Sequence, residues 1–284
     1  MARPDRQALI YATMDPAQLD RDLTFAIHAA RSAGQRALAI SAESKAGAPR
    51  WSDALLGDVA DQGCDGYLQG LIEGRYPEDG LLSEETKDTP HRTEKRRAWI
   101  VDPLDGTKEY SERRHDWAVH VALAVDGEPV LGAVALPAQG RVAWAISARG
   151  HERAAIEGAG ALVSGRSPMP ARPRVAVSRS HTPAWVQEFV ARLGGETVAA
   201  GSVGNKVALL LLGEADLYVH QTGLKEWDTC APEALARALG WTVCKLDGTP
   251  HVYNQRDPRN HELVVCRSAV TEAVLATVRA SLGR

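Results

Sequence analysis

The period of the apolar positions changes several times along this chain, and each change predicts an element. From Asp20 to about Ile40, Leu23, Ile27, Ala30, Gly34 and Leu38 recur at helical spacing, which predicts a helix with one buried face. Residues 43–57, interrupted by Gly47, Pro49 and Gly57, read as a mobile loop. A second helix is expected from Asp61 to about Tyr76, with Tyr67, Leu68, Leu71 and Ile72 as its apolar face and Pro77-Glu78-Asp79-Gly80 as its stop. The pattern then shortens to strand-like runs at Gly80–Ser83, Ala98–Val101, Ala118–Val125, Val130–Leu136 and Val142–Ile146, with Asp126-Gly127 as a hairpin turn. A Gly-, Ser- and Pro-rich stretch at 158–172 marks a boundary, dividing the chain into 1–160 and 161–284. Beyond it, Arg174–Ser178, Leu217–His220 and Thr242–Lys245 read as strands, and Pro183–Leu193, Val207–Leu212 and Asp228–Leu239 as helices. No internal repeat is present, and helices alternating with strands and hairpins predict an α+β layered sandwich.

Composition narrows the function without naming it. A net charge of −3 argues against a nucleic-acid surface, and the basic run from Arg92 to Arg97 reads as a solvated loop. No stretch approaches the roughly 20 apolar residues of a membrane span, and the N-terminus lacks a secretory pattern. Cys64, Cys230, Cys244 and Cys266 form no C-x-x-C pair, so neither zinc nor a disulfide framework is suggested. A soluble, cytoplasmic protein with no nucleic-acid and no membrane partner is expected, with a homodimer left open.

The chemistry concentrates in Asp102-Pro103-Leu104-Asp105-Gly106-Thr107, which follows the strand-like Ala98–Val101. Two carboxylates three apart on the turn leaving a strand can converge on one point. Pro103 fixes the backbone between them and leaves the Leu104 carbonyl free as a third hard ligand. Gly106 permits a tight turn, and the amides from Gly106 and Thr107 onward would open a helix, whose free donors suit a phosphate. Metal on one side and anion on the other is a hydrolase layout. A Ser/His hydrolase is discounted because the chain has no G-x-S-x-G elbow.

This hexapeptide resembles the signature of the inositol monophosphatase-like, lithium-sensitive, magnesium-dependent phosphatases. Leu82-Ser83-Glu84-Glu85 looks like the family's acidic pair, Asp61 falls where the family has its early site Asp, and Glu226-Trp227-Asp228-Thr229-Cys230-Ala231-Pro232 looks like its second signature. The motifs follow the family's order from about residue 58 to 255. The resemblance implies a sandwich of the inositol monophosphatase/fructose-1,6-bisphosphatase type in two subdomains, with Mg²⁺ held by Glu84, Asp102, the Leu104 carbonyl, Asp105 and Asp228. It implies in-line attack of water, with Thr107 paired to Asp61 or Glu84 to orient it, and with the Gly106 and Thr107 amides on the phosphate. An all-oxygen donor set of this kind selects a hard cation. The chain departs from the family at Asp58 and near Arg50, where a Thr and a Lys are usual. Asp58 reads as an extra ligand contact or, more readily, as a helix N-cap.

Within the family, Thr107-Lys108-Glu109-Tyr110 looks like the 3′(2′),5′-bisphosphate nucleotidase branch. Ser178-Arg179-Ser180-His181 resembles that branch's substrate-side loop, and Gly201-Ser202-Val203-Gly204-Asn205-Lys206 the loop before its next helix. Lys108, Ser178, His181, Ser202, Lys206 and His220 are therefore expected substrate contacts, with Lys206 meeting a second phosphate. The implied small-molecule substrate is a nucleotide bisphosphate, 3′-phosphoadenosine 5′-phosphate, hydrolysed to AMP as in sulfate assimilation. An inositol or other sugar monophosphatase is the alternative within the family, and a catalytically silent phosphate-ligand sensor the alternative outside it.

Overall fold

A computed structural model describes residues 14–45, 52–180 and 182–283. It opens with helix α1 (Pro16–Lys45) and helix α2 (Asp53–Arg75). Strand β1 (Gly80–Ser83) and strand β2 (Arg97–Asp105) lead into a short helix, α3 (Thr107–Ser111). Strands β3 (Ala118–Val125), β4 (Glu128–Leu136), β5 (Arg141–Ile146) and β6 (Arg153–Ile156) complete the first half. The second half runs β7 (Arg174–Ser178), α4 (Ala184–Arg192), β8 (Glu196–Ala200), α5 (Val203–Leu211) and β9 (Leu217–His220). It closes with α6 (Glu226–Ala238), β10 (Trp241–Cys244), β11 (Leu263–Arg267) and α7 (Thr271–Ser281).

Two sheets result. The first has the order β1-β2-β3-β4-β5-β6, antiparallel except for the parallel β1/β2 pair, and the second the order β10-β11-β9-β7-β8. The two-residue alternation of each strand sorts its side chains between layers. On β3, Val119, Val121, Leu123 and Val125 pack with α1 and α2, whereas Ala118, Ala122 and Ala124 join the core formed with α5 and α6. On β7 and β9, Val175, Val177, Leu217 and Val219 pack toward α4 and α7, while Ala176 and Tyr218 face the same α5/α6 core. The layers are therefore helices, sheet, helices, sheet, helices, an α+β sandwich as the sequence predicts. Helices α5 and α6 are enclosed on both sides.

Several local expectations are corrected. Helix α1 starts four residues early, because Asp15 Oδ1 accepts from Ala17 N at 3.0 Å. Helix α2 starts at Asp53 rather than Asp61, because the Ser52 side chain caps it by accepting from Leu55 N. Asp58 therefore lies inside a helix and is no N-cap. Part of the expected loop, residues 46–51 with Gly47, Pro49 and Arg50, lies outside the described residues. The basic run is not a solvated loop throughout. Arg92 is buried, holding Asp88, the Asn254 side chain and the Gln255 carbonyl, and Arg97 reaches Asp22 and Asp79. Four elements carried too little pattern to be anticipated: β6, β8, β11 and α7.

Candidate active site

The acidic residues arrive from four elements at one end of the first sheet. Glu84 follows β1 directly, and Asp102 and Asp105 lie in the last four residues of β2. The expected turn over 102–105 is instead a strand continuation: Asp102 pairs with His120, Asp105 with Ala118, and the register slips between them. Pro103 sits in that irregularity, where a missing N–H costs no ladder bond. Gly106 then adopts φ +94°, a left-handed turn that favours glycine, and aims Thr107 back over the strand end.

Asp61 comes from α2. One turn earlier on the same face is Gly57, where an added Cβ would stand 2.7 Å from Thr107 Cγ2 and from Ser111 Oγ. Only a residue without a side chain lets α2 approach so closely. Thr107 Oγ1 accordingly lies 3.2 Å from Asp61 Oδ2 and 3.1 Å from the Leu104 carbonyl, with one hydroxyl proton to donate to either. Asp228 stands in the first turn of α6, where its Oδ2 accepts from Lys225 N at 2.6 Å. The neighbouring Trp227 side chain hydrogen-bonds Glu84.

Each of four aspartates gives one oxygen to the protein frame. Asp102 Oδ1 accepts from Leu104 N at 3.0 Å, Asp61 Oδ2 takes Thr107, and Asp228 Oδ2 takes Lys225. Asp105 Oδ2 accepts from Ser202 Oγ at 2.6 Å, Val203 N at 2.6 Å and Gly204 N at 3.1 Å. The second oxygens of Asp61 and Asp102 are buried with no partner. Native proteins rarely leave such atoms unpaired. Orphaned carboxylate oxygens converging from different elements fit a hard divalent cation, and Asp102, Asp105 and His120 can bring ligand atoms within 4.8 Å of one another.

Electrostatics divide the cluster. Burial, with Glu85 and Glu84 nearby, pushes Asp61 up to about 8. Burial and the neighbouring acids push Glu84 and Asp228 up to about 7, and burial with Glu84, Asp105 and Asp228 drives Asp102 well above the usual carboxylate range. Asp105 goes the other way. Burial would raise it, but His120, Lys206 and Ser202 hold it down to about 2. It is the member of the cluster whose protein partners suffice to keep it ionised.

The expected substrate contacts fare differently. Ser178 lines a cavity of about 600 Å³ with Ser180, Thr182, Val186, His220 and Leu224. His220 lines it too, although its Nε2 donates to the Thr222 carbonyl at 2.6 Å and its Nδ1 lies 3.2 Å from Tyr218 Oη. Lys108 is exposed, 3.9 Å from Glu112. His181 lies outside the described residues. Two expectations are corrected. Lys206 does not face the cavity: it is buried, and its ammonium donates to the Ser202 carbonyl at 2.7 Å and sits over the Tyr218 ring. The Ser202 hydroxyl is buried as well, committed to Asp105 and to the Asn205 amide. The loop they stand on grips Asp105, so their polar atoms serve the frame of the site. The helix opened by Gly106 and Thr107 is a single turn, so its dipole is weaker than the sequence suggests.

Sequence reasoning passed over His120. It is fully buried, with Nδ1 3.1 Å from the Trp227 carbonyl and Nε2 3.1 Å from Asp105 Oδ2. Burial lowers its pKa, but Asp105 more than reverses this and raises it. The available signal was one polar residue in the apolar run Ala118-Val119-His120-Val121-Ala122.

A carboxylate cluster with orphaned oxygens, set at the end of a sheet in a five-layer sandwich, defines a metal-dependent hydrolase. The chain belongs to the inositol monophosphatase family, whose model matches residues 18–282. It is 36% identical over 268 residues to a 3′-phosphoadenosine 5′-phosphate phosphatase of Mycobacterium leprae (strain TN), covering 91% of this chain and 93% of that one. It is 34% identical to the 3′(2′),5′-bisphosphate nucleotidase CysQ of Shigella flexneri, over 64% of this chain and 72% of that protein. Among solved structures, CysQ from Bacteroides thetaiotaomicron superposes with a TM-score of 0.71 at 28% identity, covering 87% of this chain and 97% of the other.

Proposed function

We propose that the protein is a Mg²⁺-dependent phosphomonoesterase that removes the 3′-phosphate of 3′-phosphoadenosine 5′-phosphate, leaving AMP. The observation that carries the metal-dependent chemistry is the buried, unpartnered oxygen of Asp102, set among Glu84, Asp105 and Asp228. The substrate follows from relatives of nearly the same length named for that activity. Glu84, Asp102, the Leu104 carbonyl, Asp105 and Asp228 would hold the cation. Bound there, it would neutralise phosphate charge and lower the pKa of the attacking water.

The chain's own groups do the rest. Thr107, held between Asp61 and the Leu104 carbonyl, orients the water, and Asp61 beside it receives the proton. The Gly106 and Thr107 amides face the phosphate. The cavity of about 600 Å³ at the ends of β7 and β9 contains none of the acidic residues; its lining, apolar at Val177, Val186, Val219 and Leu224 and polar at Ser178, Ser180 and Thr182, is a mixture that suits a nucleoside. No helix among the described residues is long and apolar enough to cross a membrane.

The test is phosphate release with Mg²⁺ from 3′-phosphoadenosine 5′-phosphate, inositol 1-phosphate and fructose 1,6-bisphosphate. The highest kcat/KM is expected for the nucleotide. A preference for inositol phosphate would move the substrate to the sugar-phosphate alternative while leaving the metal chemistry standing.

A further inference from the structure

His120 is the polar side chain that joins the two halves of the acidic cluster. It lies directly across from Asp102 on β3, on the sheet face that packs against α5 and α6. The other residues of that row are Ala118, Ala122 and Ala124, so the imidazole is the one bulky side chain that β3 sends toward the helices. A backbone carbonyl can only accept, so Nδ1 donates to Trp227 O. Nε2 approaches Asp105 Oδ2 at ion-pair distance without hydrogen-bond alignment. A single rigid ring thus spans from β2 to the first turn of α6, one residue before Asp228.

The room for that ring is built in. A Cβ at Gly204, in the first turn of α5, would stand 2.2 Å from His120 Nε2 and 2.7 Å from Val134 Cγ1. Gly204 also donates its N–H to the same Asp105 oxygen. A bare backbone at 204 therefore lets amide and imidazole meet one carboxylate oxygen, which leaves Asp105 Oδ1 as its only uncommitted ligand atom.

We propose that His120 is a positioning residue for the metal site: by bridging Asp105 and the Trp227 carbonyl, within a gap kept open by Gly204, it fixes the spacing between Asp105 and Asp228. This rests on the metal-dependent reading above. Partners that orient metal ligands in this way are typically worth about 10–100-fold in affinity.

The test measures Mn²⁺ binding to the full chain by the paramagnetic signal of the free ion, with no substrate present. H120L fills the volume but removes both contacts; G204A keeps His120 but pushes its ring off Asp105. Both variants are expected to bind Mn²⁺ about 10–100-fold more weakly than the wild-type chain. In a double variant with H120A, which leaves the added methyl room, G204A should weaken binding little beyond H120A alone, because the ring it displaces is gone. Wild-type affinity in H120L and G204A, with only thermal stability lowered, would overturn the proposal and make His120 a packing residue. Failure of the wild-type chain itself to bind Mn²⁺ would overturn the metal reading, and this inference with it. Should H120L not fold, H120A, which also removes both contacts and crowds nothing, decides in its place beside G204A.

Discussion

Helix α6 carries an acid toward each side, half-buried Asp228 and fully buried Glu233, and the two live under opposite rules. On the site side, Asp228 is surrounded by Asp105 and Glu84 and is pushed up to about 7. Five residues on, Glu233 accepts from His251 Nδ1 at 2.7 Å, Tyr253 Oη at 2.7 Å and Arg237 at 3.2 Å, and it is held below the usual carboxylate range in spite of burial. His251 Nε2 lies 2.8 Å from the Glu262 carbonyl, so both its nitrogens face acceptors and both must donate. No buried side-chain nitrogen or oxygen of that network is left without a partner. At the site, oxygens of Asp61 and Asp102 are left over. The difference separates two uses of buried charge: a satisfied network anchors the 251–262 segment under the helix, and an unsatisfied one waits for a ligand.

The comparison is broken most severely at Asp102. Replacing it with Asn removes a ligand but keeps an oxygen for the Leu104 amide, so the fold should survive. Metal-assisted charge stabilisation is worth several kcal/mol, which puts the expected loss in kcat/KM at about 10³-fold or more. The same substitution removes a charge that burial and its neighbours oppose, so the EDTA-treated variant should melt no lower than the wild-type chain at pH 8. Phosphate release and calorimetric melting check the two halves together. An active D102N would take Asp102 out of the metal site.

Across the helix the effect should reverse. Glu233→Ala leaves His251 and Arg237 without their shared partner, and breaking a buried pair in this way costs about 3–5 kcal/mol. Denaturant unfolding should show that loss, while the kcat of the molecules that remain folded stays close to wild type. A large fall in kcat with stability unchanged would mean that the rear network is part of the reaction. Replacing Glu233 and His251 together with apolar residues should recover much of the stability, because no charge is then stranded.

The contrast also shows what a sequence can carry. The front of the site was legible because its chemistry is written in contiguous stretches: Asp102 to Thr107, and Trp227-Asp228. The sandwich was legible because strands such as Ala118–Val125 and helices such as α1 show their period plainly. Three kinds of information were hidden. The position of α2 depends on a cap at Ser52 outside the apolar pattern. The fates of Lys206 and Ser202 depend on which way a loop turns, and that loop turns inward onto Asp105. Arg92, His120 and His251 look like surface or incidental residues until elements more than a hundred positions away supply partners to Arg92 and His120.

The smallest expected effect is on stability against pH, and it compares the two sides within one measurement. In the folded, EDTA-treated protein Asp61 titrates near 8 and Glu84 and Asp228 near 7, all above the 3.8 to 4.5 of ordinary carboxyls. Between those limits the folded chain holds more protons than the unfolded one, so stability falls as pH rises. The contribution is complete below about pH 4 and is lost as pH climbs through 7 to 8. Glu233 and Asp105, held low, change protonation only in acid, whereas His251 and His120, held above 6.5 by those carboxylates, add to the decline as they lose their protons. The melting temperature in EDTA should therefore decline by a few degrees from pH 5 to pH 8. Added Mg²⁺ should raise it more at pH 8 than at pH 5, because at the lower pH the cation competes with protons for the same oxygens. In D102N both trends should flatten, since one of the coupled charges is gone. A melting temperature in EDTA that stays level or rises from pH 5 to pH 8 would show that the acids of the cluster do not hold extra protons in the folded chain, and would remove the electrostatic contrast between the two sides.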